Sequence, residues 1–153
     1  MANTYTQLYI HFVFAVQNRA SLICESWEAG LYKYITGIAE QQEHKLMAIN
    51  GMPDHLHVLV SMNPKQSPSD LMFHMKRSSS LWINENKLVQ GKFSWQEGFG
   101  AFSYGKSQIP VIAGYIEKQK QHHARKTFIR EYTDFLKAFG IDYDERYTFK
   151  AVE

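Results

Sequence analysis

The run Pro53-Asp54-His55-Leu56-His57-Val58-Leu59-Val60 constrains this chain more than any other stretch of it. Successive side chains of a strand point to opposite faces, so Leu56, Val58 and Val60 line one face. His55 and His57 then share the other. Two neutral imidazoles held side by side by backbone geometry can grip one divalent ion. They also suit a half-buried polar sheet face that binds nothing, and the run by itself is compatible with both readings.

The length of 153 residues fits one domain, 1–153, with a real core. Apolar residues make up 44% of the chain, with ten Phe, nine Tyr and three Trp, which points to a folded rather than a disordered protein. Cys24 is the only cysteine, which excludes a disulfide framework and suits a reducing cytoplasm. A passive small side chain is expected there, not a nucleophile. The N-terminus lacks the basic-then-apolar pattern of a signal peptide, and no apolar run is long enough to span a bilayer. A cytoplasmic protein without a membrane partner is the expectation.

The formal net charge of +2 hides a local excess. Residues 1–117 balance nine basic against nine acidic side chains. Lys118, Lys120, Arg125, Lys126 and Arg130 then follow with no acid among them, and His122 and His123 lie inside the cluster. Residues 131–153 carry three basic and six acidic side chains. A basic cluster of this kind is either a solvated helix face or a phosphate-contact surface.

In chain order, strand and helix signals alternate. Tyr5 to Val16 reads as a long strand, with Leu8, Ile10, Phe12, Phe14 and Val16 on one face and Gln7, Tyr9 and His11 on the other. Asn18–Ser21 breaks it. A helix from about Ser26 places Trp27, Leu31, Tyr34, Ile35 and Ile38 at helical spacing, weakened locally by Gly30 and Gly37. Lys45–Asn50 is a second strand, joined to the histidine strand by a turn at Gly51-Met52-Pro53-Asp54. Ser67 caps the next helix, Pro68 starts it, and Leu71, Met75, Ser78 and Trp82 line one face. Phe93–Trp95 and Phe99–Tyr104 read as short strands. The order β-α-β-β-α-β predicts an α+β, ferredoxin-like (split βαβ) antiparallel sheet with flanking helices. No internal repeat or linker divides it.

After the sheet, a helix starts near Ser107 or Gln108 with Pro110 in its first turn and runs through Tyr115 and Gln119 into the basic cluster. Tyr115 and Gln119, four residues apart, share one face, and His122 extends the stripe. A last helix is predicted over Thr127–Phe139, packing through Phe128, Tyr132, Phe135, Leu136 and Phe139, with Gly140 placed to end it.

These residues carry a resemblance. His55-Leu56-His57 on a central strand, followed by Tyr115-Ile116-Glu117-Lys118-Gln119 on a later helix, is similar to the single-tyrosine HUH transposases, the small TnpA-type enzymes of bacterial insertion sequences. The likeness spans nearly the whole chain. It includes the Gly51-to-Val60 hairpin, Gly98-Phe99-Gly100-Ala101-Phe102-Ser103, His122-His123 and Gly140-Ile141-Asp142-Tyr143-Asp144-Glu145, with no departure at the three motif positions.

The resemblance implies a metal-assisted transposase acting on single-stranded DNA with hairpin ends. Tyr115 would attack the scissile phosphate, leaving a 5′-phosphotyrosine link and a free 3′-hydroxyl that later rejoins strands. His55, His57 and Gln119 would hold Mg2+ or Mn2+, with His122 a possible outer partner. A third histidine in that set would argue for zinc. Lys118, Lys120, Arg125 and Lys126 are candidate DNA-backbone contacts. His11, His44 and His74 are read as structural. Homodimers whose tyrosine helix completes the partner's histidine site are implied as well. Two other readings stand: a non-catalytic ferredoxin-like nucleic-acid binder that stacks bases on Tyr5 and Tyr9, and an HUH replication-initiator nuclease, which usually carries further domains.

Overall fold

The computed structural model of the chain describes residues 4–123 and 127–142. Its centre is the histidine strand. Strand β3 (His55–Ser61) is buried over six of its seven residues, so it needs cover on both faces. It lies between β2 (Lys45–Met52) and β1 (Tyr9–Ala15), and β4 (Gly100–Tyr104) pairs on the far side of β1. The sheet order is β2-β3-β1-β4 with every neighbour antiparallel, the split βαβ arrangement predicted from the element order. Crossovers run through α1 (Glu25–Gln41) and α2 (Pro68–Glu85).

Alternation sorts the two faces as predicted. Phe12, Phe14, Leu56, Val58 and Val60 pack with α1 and α2 residues such as Leu31, Ile35, Leu71 and Met75, all fully buried. Each such side chain contributes about 1.5–3 kcal/mol through burial. His11, His55 and His57 point the other way and are fully buried too. Their cover comes from α3 (Ile109–Glu117), the single turn α4 (Gln119–His122) and α5 (Phe128–Ala138).

Several local expectations are corrected. β1 begins at Tyr9, not Tyr5, and Tyr5 is 91% exposed. Phe93–Trp95 is not a named strand: Asn84 of α2 binds both backbone groups of Phe93, at 2.8 and 3.1 Å, and only Trp95 makes a bridge, to Val16. The buried face of α2 runs Leu71, Met72, Met75, Ser79 and Ile83. Ser79 replaces Ser78 there because its hydroxyl accepts from Trp95 Nε1 at 2.9 Å. Trp82 is half-buried and stacks on Tyr34 of α1.

The predicted helix through Gln119 is interrupted at Lys118, whose backbone leaves helical geometry (φ −98°, ψ 18°). Asn50 Nδ2 donates to the freed Glu117 carbonyl at 2.9 Å, which satisfies a helix-end acceptor. The last helix matches its predicted span closely. Thr127 caps it by accepting from Arg130 N, and Gly140, at φ 65°, closes it. Phe139 lies just past the helix against Phe102 and Tyr104. Among the described residues no helix is long and apolar enough to cross a membrane.

Candidate active site

The site grows from the β2–β3 hairpin. Gly51 faces Leu56 across the pair, and a Cβ there would lie 2.2 Å from His55 O and 3.0 Å from Leu56 Cα. Only glycine lets β2 close this tightly on the start of the histidine strand. The turn residue Asp54 then sets the first imidazole, its Oδ1 lying 2.8 Å from His55 Nδ1. His57 Nδ1 meets His11 Nε2 of β1 at 2.8 Å, so the neighbouring strand sets the second.

The Nε2 atoms of both histidines face Glu131, a residue of α5 that is 1% exposed. Glu131 Oε1 lies 3.0 Å from His57 Nε2, 2.9 Å from His123 Nε2 and 3.5 Å from His55 Nε2. Its Oε2 accepts from the Tyr115 hydroxyl and from Gln119 Nε2, the latter at 2.9 Å. Gln119 Oε1 in turn lies 3.2 Å from His55 Nε2. One carboxylate therefore joins all the sequence-predicted centre residues within a single chain.

A carboxylate can only accept, and that assigns the protons. His57 carries its hydrogen on Nε2, and its Nδ1 accepts from His11 Nε2. His11 Nδ1 is then an acceptor, buried with no partner among the described residues. Burial holds His57 down to about 4, against a smaller upward pull from Glu131. Burial and His57 likewise hold His11 well below an ordinary histidine. His55 behaves differently. Burial opposes its charge, but acceptors on both ring nitrogens, Asp54 and Glu131, outweigh burial and raise it. Burial would raise Glu131, yet bonds from His123, His55 and His57 keep its carboxyl far below the usual range. Burial, then the Glu131 bond and charge, push the Tyr115 phenol well above the ordinary tyrosine value. The phenol is neutral and its proton is already bound to an acceptor.

The remaining predicted residues divide. His122 stacks on the Tyr115 ring with centroids 4.4 Å apart, while its neighbour His123 is the one that reaches the centre. Lys120 Nζ is engaged internally, with Glu28 Oε2 and the Gly51 carbonyl both at 3.1 Å. Lys118 is exposed. Arg125 and Lys126 lie outside the described residues, as do Tyr143, Asp144 and Glu145. His44 is structural, bonded to Gln66 Oε1 and to Asn63 N. His11, read as structural, is a direct hydrogen-bond partner of His57. Beside Tyr115 a cavity of about 280 Å³ opens between α3 and α5, walled by Val111, Ile112, Phe135 and Ala138, with Asp134 on its lining.

Sequence reasoning missed Glu131 and His123. A signal for Glu131 existed: it falls on the apolar stripe of α5, between Phe128 and Tyr132, where an unpaired acid is costly. In its first helical turn it passes instead for an ordinary favourable N-terminal acid. His123 has no comparable signal beyond its adjacency to His122.

Comparison with known proteins identifies a family and a shared fold. The family model described as "Transposase IS200 like" matches residues 4–119. The ISDra2 transposase TnpA of Deinococcus radiodurans is 25% identical over 118 residues, covering 74% of this chain and 84% of that protein. The transposase for insertion sequence element IS200 of Salmonella typhimurium is 26% identical over 125 residues, covering 78% and 81%. A solved REP-associated tyrosine transposase bound to a REP hairpin aligns with a TM-score of 0.61 at 16% identity, over 100% of this chain and 96% of that one, so the fold is shared. The family match takes in the whole sheet, the histidine strand and the tyrosine helix as far as Gln119, and the chain belongs to the IS200-like transposase family.

Proposed function

We propose that this transposase cleaves and rejoins single-stranded DNA with Tyr115 as nucleophile. The observation that carries the reading is the convergence of the Tyr115 hydroxyl and the Nε2 atoms of His55 and His57 on one buried carboxylate. A phenol near pKa 10 is a poor nucleophile until its proton has somewhere to go. Glu131 Oε2 is the atom that takes it. The Tyr115 oxygen forms a bond to phosphorus, the bond from phosphorus to the 3′ oxygen breaks, and that oxygen leaves as a hydroxyl once protonated. The product is a 5′-phosphotyrosine link, and the reverse step joins a 3′-hydroxyl to it.

The donors fit a divalent ion: neutral-capable imidazoles face one buried anion, a pairing that a cation would complete. His55 and His57 would hold it, with Gln119 and Glu131 beside them. Such an ion, Mg2+ or Mn2+ in the family, would polarise the phosphate and offset charge that develops on it. The cavity beside Tyr115 gives the strand flanking the scissile phosphate an apolar wall to lie against. A hairpin substrate is supported by the REP hairpin held by the solved relative. Lys118 and the cluster beyond it are the proposed backbone contacts, whereas Lys120 must first leave Glu28.

The test uses single-stranded oligonucleotides bearing hairpins, with and without Mg2+ or Mn2+. Wild-type protein is expected to give a covalent adduct that survives a denaturing gel. Tyr115→Phe removes one oxygen, so folding and DNA binding persist and the adduct disappears. Adduct from the Phe variant would move the nucleophile elsewhere, to Tyr104 or Tyr132.

A further inference from the structure

A second polar cluster joins α1, β2 and α4, and Lys120 is its centre. An ammonium carries three hydrogens. Three acceptors surround this one: Glu28 Oε2 and the Gly51 carbonyl, both at 3.1 Å, and Asn50 Oδ1 at 3.3 Å. The Tyr32 hydroxyl donates into the same group, 3.3 Å from Glu28 Oε2 and 3.4 Å from Asn50 Oδ1. Burial, then the Glu28 charge, push that phenol above the ordinary tyrosine value, so it remains a donor. Asn50 also reaches the tyrosine helix, because its Nδ2 donates to Glu117 O at 2.9 Å. A lone exposed Lys–Glu pair contributes little. Here the Glu28 side chain is only 17% exposed and both members have further partners on α1 and β2.

We propose that Glu28, Tyr32, Asn50 and Lys120 form a positioning anchor that sets the α3–α4 joint, and through it the placement of Tyr115 for strand cleavage. The inference rests on the proposed role of Tyr115 and adds residues that touch neither the DNA nor the reacting atoms. The two tethered positions are 117 and 120. They flank the break at Lys118 and bracket Gln119, which is fully buried. α3 has nine residues and α4 only four, lengths that do not hold a helix in place without tertiary contacts. The tethers come from α1 and β2, so the sheet and its first helix fix where the nucleophile's helix ends. Lys120 then serves the reaction from inside the protein and is not a phosphate contact. Glu28 separates the two roles. A carboxylate repels phosphate, so removing its charge cannot weaken DNA binding through a lost contact.

The test compares Lys120→Met, Glu28→Gln and the double variant in the full chain. With hairpin DNA and divalent ion saturating, each single change is expected to slow adduct formation by about tenfold or more, the scale of a small misplacement of a reacting group. The double variant should be no slower than the slower single, because the two changes break one tether. The Kd for hairpin DNA and its salt slope should keep their wild-type values, whereas loss of a phosphate contact lowers that slope by about 1. Amide hydrogen exchange gives a second readout that needs no cleavage. Exchange over α3 and α4 should quicken in both variants while the sheet core exchanges as in the wild type. Weaker DNA binding and a lower salt slope in Lys120→Met, with normal cleavage by Glu28→Gln, would overturn the anchor in favour of a phosphate contact. Unchanged exchange over α3 and α4 in both variants would overturn it as well. A wild type that forms no adduct sinks the cleavage reading instead, and the exchange data then decide the anchor.

Discussion

Tyr115 and Glu131 are joined by one hydrogen bond, and most of the chemistry assigned to this chain passes through that pair. Around it the histidines carry opposite perturbations, and these predict how stability responds to pH in chelator-treated protein. His57 is lowered from 6.5 to about 4 by burial. Unfolded His57 takes a proton near 6.5 that the folded imidazole refuses until about 4, so stability falls as pH drops through that window. His11, lowered by burial and by His57, acts in the same direction. His55 is raised, so its contribution is complete below 6.5 and is lost as pH rises through its folded value. Below 6.5 the His55 contribution is constant, so on the acid side the two lowered groups set the slope. The thermal midpoint should therefore fall between pH 6.5 and 4, and His57→Asn should flatten that limb. A midpoint that instead climbs steadily down to pH 4 contradicts the proton assignment.

At the scale of elements, the hairpin and the α3–α4 break aim the site. Gly51 allows β2 to approach the His55 carbonyl, and a methyl group there meets backbone on both counts. Gly51→Ala must shift the start of β3. It is expected to cost on the order of 2–4 kcal/mol, with loss of metal binding alongside. Chemical denaturation together with Mn2+ titration checks both, and wild-type values in the two would show that the hairpin has room to spare. The break at Lys118 was not legible, because Tyr115-Ile116-Glu117-Lys118-Gln119 has no proline or glycine to signal one. What ends α3 is Asn50, from a strand 67 residues earlier, taking the Glu117 carbonyl. Phe93–Trp95 failed as a strand for a related reason: Asn84 captures the backbone groups that a sheet partner would need.

At the scale of the molecule, helices cover both faces of the sheet, and the second face closes over the histidines within one chain. The family resemblance implied that the tyrosine helix completes a partner's site. Here Tyr115 sits beside its own chain's His57, with ring centroids 6.1 Å apart. Co-expressing Tyr115→Phe and His57→Ala subunits under separate tags separates the two arrangements. With sites inside each subunit, every site in the mixed species is defective, and the purified mixture should bind hairpin DNA without cutting it. Robust cleavage would mean that α3 leaves this position and pairs with a neighbouring copy.

The sequence by itself determined the alternation of β3, the β-α-β-β-α-β order and the face shared by Tyr115 and Gln119. Each follows from periodicity within one strand or one helical turn, and periodicity is local. The carboxylate that binds these residues together could not be read that way. Glu131 meets His57 across 74 positions, His123 arrives through a turn after α4, and His11 comes from the adjacent strand in register with Leu59. Such meetings depend on how α5 lies on the sheet. That is set where Phe128, Tyr132 and Leu136 pack against Val13, Ala15 and Phe102, with Gly100 leaving room for the Tyr132 ring. Local pattern named the elements that carry the chemistry, and long-range packing chose the anion they share.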